Sequence, residues 1–161
     1  MTEGLGEASA RMKPDIFIRT RSSDALSLPK GSIPAAEFMI LGPGEYEIKG
    51  IEIMGYPRFI YHIRTEDIDL GFLGPTDVKE PAFNADVTEK LQDVDILFVP
   101  DSVEGAKIVR QFHPKIVISQ MDTAKDLEKE LGKKAEILDK LVIKKKEVPI
   151  EEVGRLICLK I

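Results

Sequence analysis

Four aspartates come shortly after strand-like segments, where carboxylates from several strands could gather at the rim of a sheet and hold a metal ion. They follow the segments DIFIRT, IDLGFLG, DILFVP and KIVIS, and they are Asp24, Asp77, Asp101 and Asp122. Carboxylate oxygens suit magnesium, calcium or manganese better than zinc. Aspartate is also frequent after strands because it initiates turns and caps helices. The four residues therefore define an alternative site and not the main prediction.

Residues that could bind zinc or act as a nucleophile are few. The chain has two histidines, far apart in sequence, and one cysteine. His62 lies within the strand-like RFIYHIR, and His113 ends a predicted helix, where a positive charge is favourable. Cys158 lies in the apolar run RLICLKI, which is typical of a buried strand. We interpret all three side chains as structural, and the chain contains no GxSxG nucleophile elbow.

The composition indicates one globular domain. A chain of 161 residues is long enough to bury one sizeable core, and we expect a polar leader at 1–13 followed by a single domain at 14–161. The longest apolar runs are too short to cross a bilayer, and the first residues lack the apolar stretch of a secretory signal. The sequence therefore predicts a cytoplasmic protein without a membrane partner.

The charge balance disfavours nucleic acid as a partner. Acidic residues number 28 and basic residues 23, which gives a net charge of −5, whereas phosphate contacts need a basic surface. A continuous basic stripe joining Lys133 and Lys134 to the run Lys144, Lys145 and Lys146 would favour such a partner. We expect that run instead to be a solvated strand end that protects a sheet edge.

The first half of the chain reads as strands joined by tight turns. DIFIRT at 15–20 and EFMIL at 37–41 are predicted strands, and a glycine-proline-glycine corner follows at 42–44. Beyond it the apolar positions change parity at Gly50, which a β-bulge or a tight bend would produce. RFIYHIR and IDLGFLG, separated by the turn-compatible residues 65–67, predict a hairpin.

The second half alternates strands and helices. DVDILFVP, the helix SVEGAKIVRQF with Ser102 as its N-cap, and KIVIS predict two parallel strands joined by a crossover helix. A further helix opens with a capping box at Thr123 and Asp126, and Gly132 closes it. KLVIKK and RLICLKI are the last predicted strands. Hairpins followed by strand-helix-strand units indicate a layered α/β fold of mixed sheets, with helices over the sheet faces.

The order of these segments resembles the metallo-β-lactamase superfamily. GPGEYEIKGIEI, an IYHI strand, LGFLG, DVDILFVP and HPKIVIS follow one another as in the small zinc-dependent hydrolases related to the ascorbate-6-phosphate lactonases. The similarity runs over 14–161 and is most specific at 41–53 and 93–119. It implies a four-layer αββα sandwich that holds one or two metal ions.

The resemblance fails at the metal ligands. Relatives carry an HxHxDH motif after the strand that corresponds to DIFIRT, whereas this chain has TRSSDAL, with Arg21, Ser23 and Ala25 at about the histidine positions. Pro75 stands in the place of the bridging aspartate, and Met121 in the place of a later histidine. Arginine, alanine and proline side chains cannot ligate zinc, and a thioether is a poor ligand for it. We therefore expect no metal and no cofactor.

The family's opening strands also have no counterpart, because only about a dozen polar residues precede DIFIRT. We therefore expect a reduced metallo-β-lactamase-like sandwich that lacks the N-terminal strands. Its unpaired edge predicts a homo-oligomer or a protein partner that covers it. The predicted function is a catalytically inactive binding or assembly module. The alternative is a metal-dependent hydrolase that uses the four aspartates as substituted ligands.

Overall fold

A computed structural model of the chain describes residues 14–20, 36–74, 85–99, 103–120 and 124–160. Within these residues it has ten strands, three α-helices and one short 3-10 helix. The strands are β1 (Ile16–Ile18), β2 (Phe38–Ile40), β3 (Gly44–Ile48), β4 (Ile51–Tyr56), β5 (Ile60–Thr65), β6 (Ile68–Phe72), β7 (Ile96–Phe98), β8 (Ile116–Gln120), β9 (Glu136–Leu138) and β10 (Arg155–Leu159). The helices are α1 (Ala85–Leu91), α2 (Val103–Phe112) and α3 (Ala124–Leu131), and the 3-10 helix is Lys145–Glu147.

The strands form one large sheet and one small sheet. The large sheet has the order β3-β4-β5-β6-β7-β8-β10-β9, and β1 and β2 form a separate two-stranded parallel sheet. Neighbouring strands from β3 to β6 pair antiparallel. The pairs β6–β7, β7–β8, β8–β10 and β10–β9 are parallel. The predicted mixed α/β fold is confirmed.

Two hairpins build the antiparallel half of the large sheet. Lys49 and Gly50 connect β3 to β4, and both have positive φ angles, 53° and 79°. Because Ile48 pairs with Ile51 across this turn, the apolar residues of both strands lie on one face. The predicted tight bend at Gly50 is confirmed, whereas the β-bulge is wrong. The hairpin predicted between RFIYHIR and IDLGFLG is also confirmed, with its turn at Glu66 and Asp67.

The parallel half follows the predicted strand-helix-strand order. β7 and β8 pair parallel, and α2 lies between them in sequence. His113, with a φ of 47°, comes directly after α2 and before Pro114. Helix α3 ends at Leu131, and Gly132 follows it with a φ of 64°, as the glycine stop predicts. The predicted capping residues Ser102 and Thr123 lie outside the described residues.

One face of the large sheet packs against the helices. Its core cluster joins buried side chains of the strands to those of α1, α2 and α3. Leu97, Val117 and Leu156 supply the centre of this face, and each is fully buried. Val87 and Leu91 from α1, Val109 and Phe112 from α2, and Leu127 from α3 cover it. All three described helices therefore lie on the same side of the sheet.

The opposite face carries two further clusters. Over the antiparallel half, Ile40 of the small sheet packs with Ile53, Tyr61 and Ile63, so the small sheet forms a second β layer. Over the parallel half lies a cluster of five isoleucines, namely Ile68, Ile96, Ile116, Ile118 and Ile157. Phe72 and Phe98 stack with ring centroids 4.1 Å apart, on adjacent strands between the two halves.

The segment KLVIKK is not a strand, so that prediction is wrong. Leu141 and Ile143 pack against the isoleucine cluster, while Val142 is 71% exposed. The alternation correctly reports an extended segment with one apolar side. It does not report a hydrogen-bonded neighbour, and the edge strand next to β10 is instead β9, from Glu136 to Leu138. The lysine run that follows enters the 3-10 helix and is not a strand end.

Candidate functional site

The carboxyl ends of three neighbouring strands meet at one edge of the large sheet. β6, β7 and β8 pair parallel, with Phe72 opposite Phe98 and Phe98 opposite Ile118. In the sequence Asp77, Asp101 and Asp122 come shortly after these strands. The strand order thus brings together the ends of the three strands that precede these aspartates in sequence.

The end of β1 reaches the same edge. The Tyr61 hydroxyl donates a hydrogen bond of 2.8 Å to the backbone oxygen of Arg19, and the Arg19 guanidinium lies 5.4 Å from the centre of the Phe59 ring. Phe59 and Tyr61 flank the start of β5, which pairs with the end of β6 because Tyr61 is opposite Phe72. Asp24 comes shortly after Arg19 in sequence. Four strand ends therefore converge at one edge, as the resemblance implies for its active site.

The predicted site side chains themselves lie outside the described residues. This holds for the four aspartates and for the substituted ligand positions, namely Asp24, Asp77, Asp101, Asp122, Arg21, Ser23, Ala25, Pro75 and Met121. The structure therefore places the strands that precede them and not the side chains. Within the described ranges, no group of three or more histidine, cysteine, aspartate or glutamate residues is arranged to hold a metal ion.

The glycine-proline-glycine corner is a packing feature. Gly44 has a φ of 151°, a backbone conformation that side chains other than hydrogen rarely allow. The Tyr46 hydroxyl lies 3.2 Å from the backbone oxygen of Gly42 and 3.3 Å from that of Pro43, so it can donate to either. A Cβ on Gly55 of β4 would lie 3.0 Å from the Gly42 oxygen. The corner therefore packs closely against β4 and the Tyr46 side chain, and we interpret it as structural and not catalytic.

Gly74 shows the same kind of close fit at the strand edge. It lies just beyond β6, and a Cβ at this position would lie 2.3 Å from the backbone oxygen of Arg58. The side chain of Phe59 would also be within 2.9 Å. Only glycine fits here without moving the backbone that leads into β5. The residue after it is Pro75, at the position where the resemblance implies a bridging aspartate.

His62 pairs with a carboxylate on the helix-bearing side of the sheet. Its Nε2 lies 2.9 Å from Oδ1 of Asp69, and an Arg64 guanidinium nitrogen lies 3.4 Å from Oδ2. Arg64 is directly opposite Asp69 across the β5–β6 hairpin, so His62 reaches Asp69 along the diagonal. This contact was not predicted from the sequence, although the register of the hairpin with its turn at Glu66 and Asp67 locates it.

The His62 pair borders a groove of about 420 Å³. The groove is lined by Glu45, Tyr46, Glu47, Glu52, Ile53, Met54, His62, Arg64 and Lys90. Charges of both signs face it, and Glu52 is directly opposite Arg64 across β4 and β5. None of the lining residues is a serine, threonine or cysteine that a histidine could activate. The groove therefore presents a polar surface without the partners of a nucleophilic site.

His113 has a separate carboxylate partner. Its Nδ1 lies 3.0 Å from Oε2 of Glu152, and this hydrogen bond raises the pKa of His113 above its ordinary value. The residue sits at the carboxyl end of α2, whereas His62 is on β5. Each histidine is thus held by its own acidic residue on a different element. This arrangement supports the structural interpretation of both.

The basic run at 144–146 is partly tied to the protein interior. Lys145 Nζ lies 2.5 Å from Oδ2 of the buried Asp95, and the same oxygen accepts the backbone N–H of Asp69 at 2.9 Å. Lys133 Nζ donates to the backbone oxygens of Val153 and Gly154 at 2.8 and 2.9 Å. Two members of the possible basic stripe are therefore engaged internally, which weakens the case for a nucleic-acid surface.

Among the described helices, none is both long and apolar enough to cross a membrane.

The structure resembles two solved hydrolase-like proteins. It superposes on a candidate Zn-dependent hydrolase of the metallo-β-lactamase superfamily from Thermotoga maritima with a TM-score of 0.69, at 19% identity, over 91% of this chain and 81% of that one. It also superposes on a candidate metal-dependent hydrolase from Parabacteroides distasonis with a TM-score of 0.58, at 18% identity, over 83% of this chain and 80% of that one.

These similarities define the fold as metallo-β-lactamase-like. The expected fold class is confirmed over most of the chain. The sequence itself matches no protein-family model and no curated protein. Since identity to the two structures is below one fifth, the likeness concerns the arrangement of strands and helices, and function has to be argued from the residues.

Proposed function

We propose that this chain is a catalytically inactive protein of metallo-β-lactamase fold that acts as a binding or assembly module. The fold implies zinc at the strand edge where β1, β6, β7 and β8 end. A catalytic zinc site needs about three nitrogen, sulfur or carboxylate ligands that converge on one point. The corresponding sequence positions carry Arg21, Pro75 and Met121, and this donor set does not fit zinc.

The contrast between Gly74 and Pro75 carries the proposal. Gly74 is needed because a Cβ there would collide with the Arg58 backbone, so its role is to fit the strand edge. The resemblance implies that the next position supplies the bridging carboxylate in relatives, and here it is proline. The chain therefore keeps a residue that the fold requires and lacks one that the chemistry requires.

The remaining imidazoles offer no simple replacement. Zinc binds the neutral imidazole, usually supported by a carboxylate that accepts from its other nitrogen. His62 and His113 each have such a carboxylate partner, in Asp69 and Glu152. They lie on β5 and at the end of α2, and no third described histidine or cysteine accompanies either of them.

Metal content and hydrolysis together test this proposal. The full chain, purified without chelators from zinc-supplemented medium, is expected to contain zinc far below one ion per chain. It is also expected to hydrolyse neither lactone, thioester nor phosphodiester substrates after zinc is added. Stoichiometric zinc with turnover of any of these substrates would overturn the proposal. A His62→Ala, His113→Ala variant is the matched control, since loss of zinc from this variant would identify the imidazoles as ligands.

The alternative function is hydrolysis with a cation held by Asp24, Asp77, Asp101 and Asp122. Its support is the edge at which the four preceding strand ends converge. Oxygen ligands of this kind suit magnesium, calcium or manganese, so zinc analysis alone does not test it. Saturable manganese binding that is lost in Asp77→Asn and Asp122→Asn, and kept in the exposed-turn control Asp67→Asn, would favour it. Unchanged melting temperature with all three cations would count against it.

A further inference from the structure

Among the described residues, the small sheet has an apolar strand, β2, that is paired on one side only. We propose that two copies of this chain join through β2, antiparallel, and so extend the two-stranded sheet to four strands. The order would be β1-β2 of one copy followed by β2-β1 of the second copy. This inference rests on the proposed assembly role and names the surface that performs it.

The side chains of β2 and its next residue are unusually exposed for their type. Phe38, Met39 and Leu41 are 37%, 44% and 44% exposed, and they fall within four consecutive residues. Ile40 between them is 1% exposed because it points into the cluster with Ile53 and Tyr61. Burying a large apolar side chain contributes about 1.5–3 kcal/mol, so the exposure of Phe38, Met39 and Leu41 favours a covered state.

Within the described ranges, the backbone of β2 pairs with another strand on one side only. Phe38 donates its N–H to Asp15, and Ile40 accepts from Arg19, so both of these β2 residues face β1. In a parallel ladder, consecutive residues direct their backbone N–H and carbonyl groups to opposite sides of the strand. The N–H and the carbonyl of Met39 therefore point away from β1. The described residues contain no strand on that side of β2. An open strand edge of this kind is a template for pairing with another chain.

The charges at the two ends of β2 select the antiparallel orientation. At its start, Asp15 and Glu37 share one cation, Lys49, which leaves a net negative charge. At its end, the Arg19 guanidinium donates to the backbone oxygen of Leu41 at 2.7 Å. A two-fold axis at Met39 brings the acidic start of each β2 next to the Arg19 end of the other. A parallel arrangement would bring like charges together instead.

A second copy fits this edge better than an unrelated strand. With Met39 opposite Met39 of the second copy, Phe38 is opposite Ile40, so the buried layer of the small sheet continues across the axis. The contact is the same patch on both copies, and it therefore closes at two molecules.

The contact is small, so we expect a concentration-dependent dimer. Stable interfaces bury roughly 800 Å² on each partner, which one short strand edge cannot supply alone. The full-length chain should therefore shift from monomer to dimer as its concentration rises through the micromolar range, on the order of 1 to 100 µM. Sedimentation equilibrium of the full chain measures this shift directly.

Two β2 variants test the surface against a matched control. Met39→Lys places a charge at the axis, and Met39→Pro removes the N–H that faces the open edge without removing a bond to β1. Both are expected to remain monomeric over the whole concentration range. Ile137→Lys changes a side chain that is 56% exposed on β9, at the far edge of the large sheet, and it should dimerise like the original chain. Circular dichroism of each variant verifies that the fold is kept.

A cysteine cross-link tests the register. Residues that form a hydrogen-bonded antiparallel pair have Cα atoms about 5.5 Å apart, which suits a disulfide. Met39→Cys should therefore form a disulfide-linked dimer under oxidising conditions, whereas Ile137→Cys should not. The native Cys158 is buried and should not contribute.

The outcomes separate this inference from the proposed function. A chain that stays monomeric at all concentrations, or a dimer that survives both Met39 variants, would overturn the β2 dimer and leave the zinc results untouched. Conversely, a zinc-loaded hydrolase that still dimerises through Met39 would remove the inactive assignment and keep the interface.

Discussion

Lys145 Nζ lies 2.5 Å from Oδ2 of Asp95, although the two residues are 50 positions apart in the chain. The Asp95 side chain is 11% exposed, while that of Lys145 is 50% exposed. The contact attaches the 3-10 helix to the start of β7. It thereby holds the preceding extended segment, with Leu141 and Ile143, against the isoleucine cluster.

Replacing Lys145 by methionine should destabilise the fold. The change leaves the buried Asp95 carboxylate with the Asp69 N–H as its remaining described donor. We expect the free energy of unfolding to fall by about 1–3 kcal/mol, measured by urea denaturation. Lys146→Met is the control, because this exposed neighbour carries the same charge and should change stability by less than about 0.5 kcal/mol. Equal losses in both variants would show that the Asp95 contact is unimportant.

Gly74→Ala should be far more damaging than Gly42→Ala. A Cβ on Gly74 would lie 2.3 Å from the Arg58 oxygen, whereas a Cβ on Gly42 meets nothing within 4 Å. We expect a loss of more than about 2 kcal/mol for Gly74→Ala and less than about 0.5 kcal/mol for Gly42→Ala. Thermal unfolding of both variants makes the comparison. If Gly74→Ala melts like the original chain, the proposed packing role of Gly74 is wrong.

The His113–Glu152 pair should stabilise the fold only at low pH. Its hydrogen bond raises the pKa of His113 above the ordinary value of 6.5, so the folded state holds this proton more tightly than the unfolded state. The contribution is complete below pH 6.5 and is lost as the pH rises through the folded pKa. The stability difference between the original chain and Glu152→Gln should therefore be larger at about pH 5.5 than at about pH 8.

Urea denaturation at the two pH values, together with an NMR titration of His113, measures this dependence. Glu151→Gln serves as the control, because it removes a neighbouring exposed carboxylate without touching His113. A difference that grows with pH would contradict the prediction.

Two tyrosines should make the fold sensitive to alkaline conditions. Burial raises the pKa of Tyr56 and of Tyr61 above the ordinary value of 10.0. The folded state therefore keeps both phenols protonated, and stability should fall as the pH rises above about 10. Phenolate absorbance during a pH titration should show these two side chains ionising together with unfolding. In Tyr61→Phe the loss of stability at alkaline pH should be smaller. If this loss is unchanged, Tyr61 does not contribute to it.

Local patterns predicted the β5–β6 hairpin and the bend at Gly50, whereas contacts between distant residues could not be predicted from the sequence. The parity change at Gly50 located a tight bend, and this bend is the two-residue turn that restores the apolar face between β3 and β4. The same alternation misassigned KLVIKK, since an extended segment can cover a sheet without joining it. The partner of Lys145 could not be predicted, because no local rule links positions so far apart.

The candidate site could likewise be predicted only in part. The substitutions at Arg21, Pro75 and Met121 could be read by comparing motifs, and the strand order confirms that the preceding strands end at one edge. The His62–Asp69 contact depends on the register of the β5–β6 hairpin, which the turn residues Glu66 and Asp67 indicate. Exposure of β2 could not be foreseen, because it depends on which strands surround it.

The place of β10 has a consequence for how the protein is made. β10 lies between β8 and β9, yet it is synthesised after both of them. Until it leaves the ribosome, β8 has an open edge beside some of the most buried residues, Ile116 and Val117, and β9 has no neighbour in the sheet. Because unpaired strand edges favour aggregation, a pause in translation before Arg155 should increase aggregation of the growing chain and its binding by chaperones.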